Sequence, residues 1–459
     1  MTALRPPRPS RVLAALLAAV ATLTPPTAYA QRANIVRDVE TEQLLRDYAA
    51  PILKAAGVNA TATKIVLVND RSFNAFVADG RRIFINVGAL MDAETPNEVI
   101  GVLAHETGHI QGGHLARLRE QVSNAQALSV VGMLLGAGAM AGAVASDGQV
   151  GGAGTGAVGV FAGGQELVRR NLLSYQRSEE QAADQAAMRY LGATGQSPKG
   201  MLATFGRFAD SGLFRSRTVD PYLVSHPLPT ERIAQLETLA KQSPHFAAKD
   251  SPALRARHDL MRAKLFGFVD RPDAVLRRYP PNDASLPARY ARAVATHRSG
   301  RLGDALAAVD GLLRAQGSNA YFLELKGQIL LESGRAREAV GPLRRAVGLV
   351  PNGVPIRAML GQALVATGDP KLLDEAIREL TNATAREPDS GEAFQHLATA
   401  YGRKGDICMA ELASAQAFLS NGDFKNAHTQ ASRALVKLPA GSPSYLKAED
   451  ILDARPPGK

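Results

Sequence analysis

Apolar positions recur with helical spacing from Asn34 to about Gly57, then give way to short β-rich runs at Lys64–Asn69, Phe73–Ala78 and Arg82–Val87. Asp79-Gly80 lies between the last two runs and predicts a tight hairpin turn. Thr95-Pro96-Asn97-Glu98 reads as a helix start: Thr95 caps, Pro96 suits the first helical position and Glu98 completes a capping box. Val99, Ile100, Val102, Leu103 and Ala104 follow without a polar break, so this helix is expected to be buried. A further helical run spans Leu172–Tyr190.

The C-terminal half repeats itself. Ser299-Gly300-Arg301, Ser333-Gly334-Arg335 and Thr367-Gly368-Asp369 place glycines at 300, 334 and 368, two steps of 34. Each precedes a helix with an alanine on its face (Ala305, Ala339, Ala376), and Pro351, Pro388 and Pro439 close second helices. That period and punctuation resemble tetratricopeptide repeats, in which each helical hairpin buries its face only against its neighbours. Lys371-Leu372-Leu373 reads as an insertion, because the next glycine in register is Gly405; Gly422 follows after half a repeat. About four repeats are expected, curved around a groove for a protein partner that the period does not identify.

Composition narrows the class. The chain has 459 residues, 46% of them hydrophobic, with one cysteine, which excludes bulk disorder and an internal disulfide framework. Cys408 reads as a buried small hydrophobe. Charge is uneven: residues 31–250 hold 21 basic and 21 acidic side chains, and 251–459 hold 29 against 22. Attraction to an acidic partner or an anionic surface therefore belongs to the C-terminal half; no nucleic-acid motif is present. Arg5, Arg8 and Arg11 precede an apolar run, Val12–Leu23, and Ala28-Tyr29-Ala30. This is the pattern of a secretory signal peptide over residues 1–30, cleaved after Ala30 and followed by no lipid-anchoring cysteine, which implies export to the periplasm.

The chemistry sits in His105-Glu106-Thr107-Gly108-His109. Residues four apart share a helix face, so both imidazoles can meet one metal, while Glu106 leaves at another angle and can act as general base on water. A catalytic zinc takes three protein ligands and keeps an open position. His114 is one residue too early for the H-E-x-x-H-x-x-G-x-x-H spacing, where Leu115 stands, and reads as a partly exposed polar residue. Glu180 is the preferred third ligand over Glu179, because only Glu180 has an aspartate one turn on, and Asp184 there can bond a ligand histidine. Ala182 and Ala183 would let the two helices approach.

His105-Glu106-x-x-His109 with Glu180-x-x-Ala183-Asp184 resembles the gluzincin peptidases, the group of the CAAX prenyl protease and the heat-shock membrane protease, and in architecture its periplasmic members with tetratricopeptide repeats. The resemblance implies one Zn2+ per chain, Glu106 and Asp184 in catalysis, and polypeptide substrates. For the periplasmic members it implies outer-membrane β-barrel proteins as substrates and contact of the repeats with the outer-membrane barrel assembly machinery. His226-Pro227-Leu228-Pro229-Thr230-Glu231-Arg232 is similar to the group's H-P…R element. Carried over, His226 is an inhibitory fourth ligand or a transition-state donor, and Arg232 is structural or supports the oxyanion. Asn74-Ala75-Phe76 is similar to the group's edge strand beside the zinc, to which an extended substrate can add.

The expected fold is mainly α: a zincin-like α+β metalloprotease domain with a small β-hairpin or sheet (31–250), a linker with the first repeat helices (251–285), an α-solenoid of tetratricopeptide repeats (286–440) and a C-terminal tail (441–459). Residues 121–146 carry no charge and hold Gly132-x-x-x-Gly136 and Gly138-x-x-x-Gly142. One membrane crossing there would put His109 and Glu180 on opposite sides of a core roughly 30 Å thick, so 121–165 is expected to be a loop and helix near the site with at most peripheral membrane contact. Two functions fit: a zinc endopeptidase with a chaperone-like role in outer-membrane protein quality control, or mainly a repeat-based chaperone or adaptor with a latent zinc site.

Overall fold

The computed structural model describes residues 35–123, 174–210, 226 and 230–456. The expected signal peptide and nearly all of 121–165 lie outside them.

The described residues open with a two-residue strand, β1 (Ile35–Val36), where helical spacing was expected. Helix α1 (Val39–Ala55) begins only after Asp38, whose side chain caps it by accepting from the Thr41 N–H at 2.8 Å. Strands β2 (Lys64–Val68), β3 (Ala75–Val77) and β4 (Arg82–Asn86) complete a four-stranded sheet of order β1-β2-β4-β3. β3 and β4 form the expected antiparallel hairpin, and Gly80 takes φ 76° in its turn. β2 pairs with β4 in parallel, leaving β3 on one edge. Leu67, Ile83 and Ile85 point inward against Leu44, Leu45, Tyr48 and Ile52 of α1 and against Leu103 beyond.

After a short helix, α2 (Val87–Asp92), comes the central helix α3 (Pro96–Gly112), buried continuously from Pro96 to Gly108. Thr95 Oγ1 accepts from the Glu98 N–H, and the Glu98 carboxylate reaches back to the Glu94 N–H. Three more helices enclose α3 after the short α4 (114–123): α5 (174–193), α6 (Lys199–Asp210) and α7 (Thr230–Lys241). Close approach of α3 and α5 comes from Gly108, where a Cβ would stand 2.9 Å from the Ala183 carbonyl oxygen. Ala183 and Ala186 face that contact, whereas Ala182, also expected there, is exposed.

Helix α8 (Pro252–Val269) is shared between halves. Its Met261, Leu265 and Phe266 enter the core of the N-terminal half, while Leu260 and Ala263 pack on the first repeat helices. The repeats follow a short α9 (Pro272–Arg278) as four hairpins: α10–α11 (Leu286–Arg298, Leu302–Ala315), α12–α13 (Ala320–Glu332, Ala336–Leu349), α14–α15 (Val354–Ala366, Leu373–Arg386) and α16–α17 (Gly391–Lys404, Ile407–Ser420). Two further helices, α18 (Phe424–Leu435) and α19 (Pro443–Asp453), extend the stack. The insertion after Gly368 is a 3-10 turn, Pro370–Leu372. Gly300, Gly334, Gly368, Gly405 and Gly422 all take positive φ, the backbone reason for the period in the sequence. Cys408 is half-buried rather than buried; its Sγ lies 3.2 Å from Asp406, which together with burial pushes the thiol up and keeps it unreactive.

The two halves are packed together. Val39 at the start of α1 sits in the repeat core beside Leu323, Leu343 and Ile356, and Lys264 of α8 is buried among Asp38, Glu40 and Glu324. Among the described residues no helix is long and apolar enough to cross a membrane.

Candidate metal centre

Helix α3 delivers its two histidines on one face because they are four residues apart: His105 and His109 present Nε2 atoms 3.1 Å from each other. Helix α5 brings Glu180 across the Gly108–Ala183 contact, with Oε2 3.3 Å from His105 Nε2 and Oε1 3.3 Å from His109 Nε2. His226 arrives from the segment before α7. Its Nδ1 stands 3.1 Å from Glu180 Oε1 and 3.4 Å from His105 Nε2, and its Nε2 donates to the Ala75 carbonyl of the edge strand at 3.1 Å. That carbonyl bond places the ring proton on Nε2 and leaves Nδ1 a bare lone pair facing the cluster.

One donor atom from each of these four residues lies within 4.8 Å of the others, a grouping that could hold one ion. Ligands at about 2.0–2.1 Å from a tetrahedral metal stand roughly 3.3–3.4 Å apart, and the five separations above, drawn from both Glu180 oxygens, run from 3.1 to 3.4 Å. Electrostatics agree. Burial opposes charge on His105, but Asp184 and Glu180 outweigh it and push the imidazole up to about 10. Glu180 is held well below the usual carboxylate range against its own burial, by His226, His105 and His109. His109 goes the other way from His105, lowered by its burial and by that neighbouring imidazole, so the pull on protons is confined to the His105 side, where a cation can take their place.

Two of the donors are backed from behind. Asp184 Oδ1 lies 3.0 Å from His105 Nδ1, on the far side of the ring from the cluster, an ion-pair contact that is not aligned as a hydrogen bond. Arg232 of α7, 2% exposed, donates to both Asp184 oxygens, at 2.5 and 2.8 Å, and to Glu180 Oε2 at 2.9 Å. Its guanidinium packs on the Phe205 ring, which also meets the edge of His105. Arg232 thus grips the carboxylates and lies behind them. Glu106, fully buried, has neither carboxylate oxygen hydrogen-bonded among the described residues; His226 Nε2 stands 3.5 Å from its Oε1. A buried charge left bare is costly, and here it faces a cavity of about 140 Å³ bordered by Phe76, His109, Leu115 and Tyr175.

The structure therefore gathers His105, Glu106, His109, Glu180, Asp184, His226 and Arg232 at one place, with Ala75 and Phe76 on its rim. Asn74, just before β3, pairs its carbonyl with the Asn86 N–H. Glu179, the less favoured ligand candidate, turns away from the donors to His114. One residue stands where spacing did not put it: His114 is buried, 6% exposed, rather than partly exposed. His114 lies between His109 and Glu179 because Gly113 takes φ 66° and turns α4 back under α3. The Gly-Gly pair before His114 is the signal that could have shown it.

The profile of peptidase family M48 matches residues 39–240, and a tetratricopeptide repeat profile matches residues 290–354. The chain is thus a metallopeptidase: an M48 catalytic domain, built around a site for a metal ion, joined to tetratricopeptide repeats. It acts on polypeptides, and repeats of this kind mediate protein interactions. Over nearly its whole length it is similar to the beta-barrel assembly-enhancing protease of Escherichia coli (strain K12), at 25% identity over 428 residues covering 92% of this chain and 84% of that one. The protein of the same name in Yersinia pestis is 26% identical over 430 residues, with the same coverage. The metalloprotease YcaL of Escherichia coli (strain K12) is 28% identical over 188 residues, 40% of this chain and 65% of that protein.

Proposed function

We propose that the protein is a zinc-dependent endopeptidase of the periplasm, exported by the segment before residue 31, that degrades misfolded or stalled outer-membrane β-barrel proteins and aids their assembly. The observation that supports this best is the bare, buried Glu106 carboxylate beside three closely grouped donors. A purely structural site needs no such base.

His105 Nε2, His109 Nε2 and a Glu180 oxygen would hold one zinc. When bound, the ion supplies Lewis acidity to water and to the scissile carbonyl. Glu106 accepts a proton from the attacking water as its oxygen bonds to the carbonyl carbon. It then delivers that proton to the amide nitrogen as the C–N bond breaks, releasing an acid and an amine. Asp184 and Arg232 keep His105 and Glu180 aimed throughout. The outer edge of β3 would offer main-chain groups to an extended substrate at Ala75, between Asn74, whose carbonyl is turned inward to Asn86, and Phe76. The relatives' name supports barrel proteins as substrates, and the repeat groove is where the chain would meet them or the barrel assembly machinery.

His226 sets the resting state. Its Nδ1 takes the fourth donor place and its Nε2 occupies the Ala75 carbonyl, so it competes with substrate at the ion and at the edge strand together. This favours latency, and it gives the second reading its footing: a repeat-based chaperone or adaptor whose zinc site is mostly closed. Glu106→Gln separates the two. It is expected to lower hydrolysis of unfolded barrel substrate by about 10²–10⁴-fold while outer-membrane assembly in cells persists. His226→Ala is expected to raise hydrolysis. Unchanged cleavage by Glu106→Gln removes the catalytic assignment, and slower cleavage by His226→Ala removes latency.

A further inference from the structure

The two histidines of α3 are supported differently. His105 meets a carboxylate directly, through Asp184. His109 meets another imidazole: its Nδ1 lies 2.9 Å from His114 Nδ1, with the rings edge to face, and the far nitrogen of His114, Nε2, lies 2.8 Å from Glu179 Oε2. Arg117 donates to that same Glu179 oxygen at 2.8 Å and to Tyr175 Oη at 3.2 Å.

Proton bookkeeping along this row has one neutral solution. Glu179 accepts, so His114 Nε2 carries the hydrogen. A neutral His114 then has a bare Nδ1, which can only accept. His109 must therefore donate through its Nδ1–H, and its Nε2, aimed at the cluster 3.3 Å from Glu180 Oε1, is left with the free lone pair a metal needs. The local backbone is arranged for this contact. Gly113 turns the chain in the left-handed region, and at Gly112 a Cβ would lie 2.1 Å from His114 Nε2, so only glycine leaves the ring room.

We propose that His114 is a positioning residue for metal binding: relaying Glu179 to His109, it fixes the tautomer in which His109 Nε2 can ligate. The proposal rests on the metal-site reading above and deepens it. Arg117 and Tyr175 hold the outer end of the relay.

Zinc affinity of the full chain, measured by competition with a chromogenic chelator, is the test, with the visible spectrum of the cobalt-substituted protein as a second readout. His114→Leu removes the acceptor and is expected to weaken zinc binding about 10–100-fold and to alter the cobalt bands. In His114→Asn the side-chain oxygen falls near the place of Nδ1 and can still accept from His109; affinity within about threefold of the unaltered protein is expected. Glu179→Ala should weaken binding in the unaltered protein and add nothing in the His114→Leu background, since it acts only through that ring. Equal affinity of His114→Leu and the unaltered protein overturns the relay, as does His114→Asn binding no better than His114→Leu. If His114→Leu does not fold, Glu179→Ala alone decides: unchanged affinity overturns the proposal. Failure of the unaltered chain to bind zinc in competition would instead overturn the metal-site reading.

Discussion

The catalytic half and the repeat half bury opposite kinds of residue. Around α3 and α5 the interior holds His105, Glu106, Glu180, Asp184, His226 and Arg232, each at most 5% exposed. In the repeats the buried positions are mostly alanine and leucine: Ala305, Ala339, Ala376, Leu343, Leu380, Ala413. Burying charge costs free energy unless it is paired, so the first region spends stability on a site. Most of the second is built from apolar fit. In it a glycine of one helix receives a leucine of the next, Gly327 against Leu343 and Gly361 against Leu380.

Two substitutions test this contrast with the same pair of measurements, thermal unfolding and hydrolysis of a short unstructured peptide. Arg232→Met has the larger expected effect. It leaves Glu180 and Asp184 buried without their cation, a loss of about 3–5 kcal/mol, and it loosens the zinc ligands, so stability and hydrolysis fall together. Leu343→Ala opens a cavity costing about 2–5 kcal/mol, yet hydrolysis per folded molecule should hold, because no site residue touches that layer. If Leu343→Ala loses activity while still folded, the repeats support the site and the contrast is false. If Arg232→Met keeps both stability and activity, the carboxylates do not need their guanidinium.

The same contrast explains what could be read in advance. Local and periodic features were legible. The His105/His109 pair and the Glu180/Asp184 pair each lie one helical turn apart, and the repeat glycines mark positive φ at a fixed interval. The Asp79-Gly80 hairpin and the Thr95 cap were equally plain. What depended on tertiary placement was not. The parallel pairing of β2 with β4 leaves no mark in either strand, and β1 gains its hydrogen bonds only by joining a sheet that Ile35 and Val36 do not encode. His114 was misplaced because helical spacing was carried past Gly113, where the chain turns. Nothing in the spacing of Arg232 showed that it would close on two carboxylates of α5. The buried charges of α8 were also hidden, since Lys264 finds its partners 226 residues earlier and 60 residues later.

That seam is the smallest and sharpest test, because there the two halves meet. Lys264 is buried among Asp38, Glu40 and Glu324, and Tyr290 Oη donates to Glu40 Oε2 at 3.0 Å. Burial pushes the Glu40 carboxyl from 4.5 up to about 7, over the opposing pull of Lys264, and neighbouring Asp38 adds to the rise. Between these values the folded chain holds a proton that the unfolded chain has lost. The Glu40 contribution is therefore fully present below about pH 4.5 and is lost as pH rises through about 7. Glu40→Gln keeps an acceptor for Tyr290 and cannot ionise. It should match the unaltered protein near pH 4.5 and exceed it by about 1–3 kcal/mol at pH 8, as read from urea unfolding at the two pH values. Parallel profiles for the two proteins would mean that Lys264 keeps Glu40 ionised throughout. The junction would then be an ordinary ion pair, and the buried charge in this chain would serve docking of the repeats as well as catalysis.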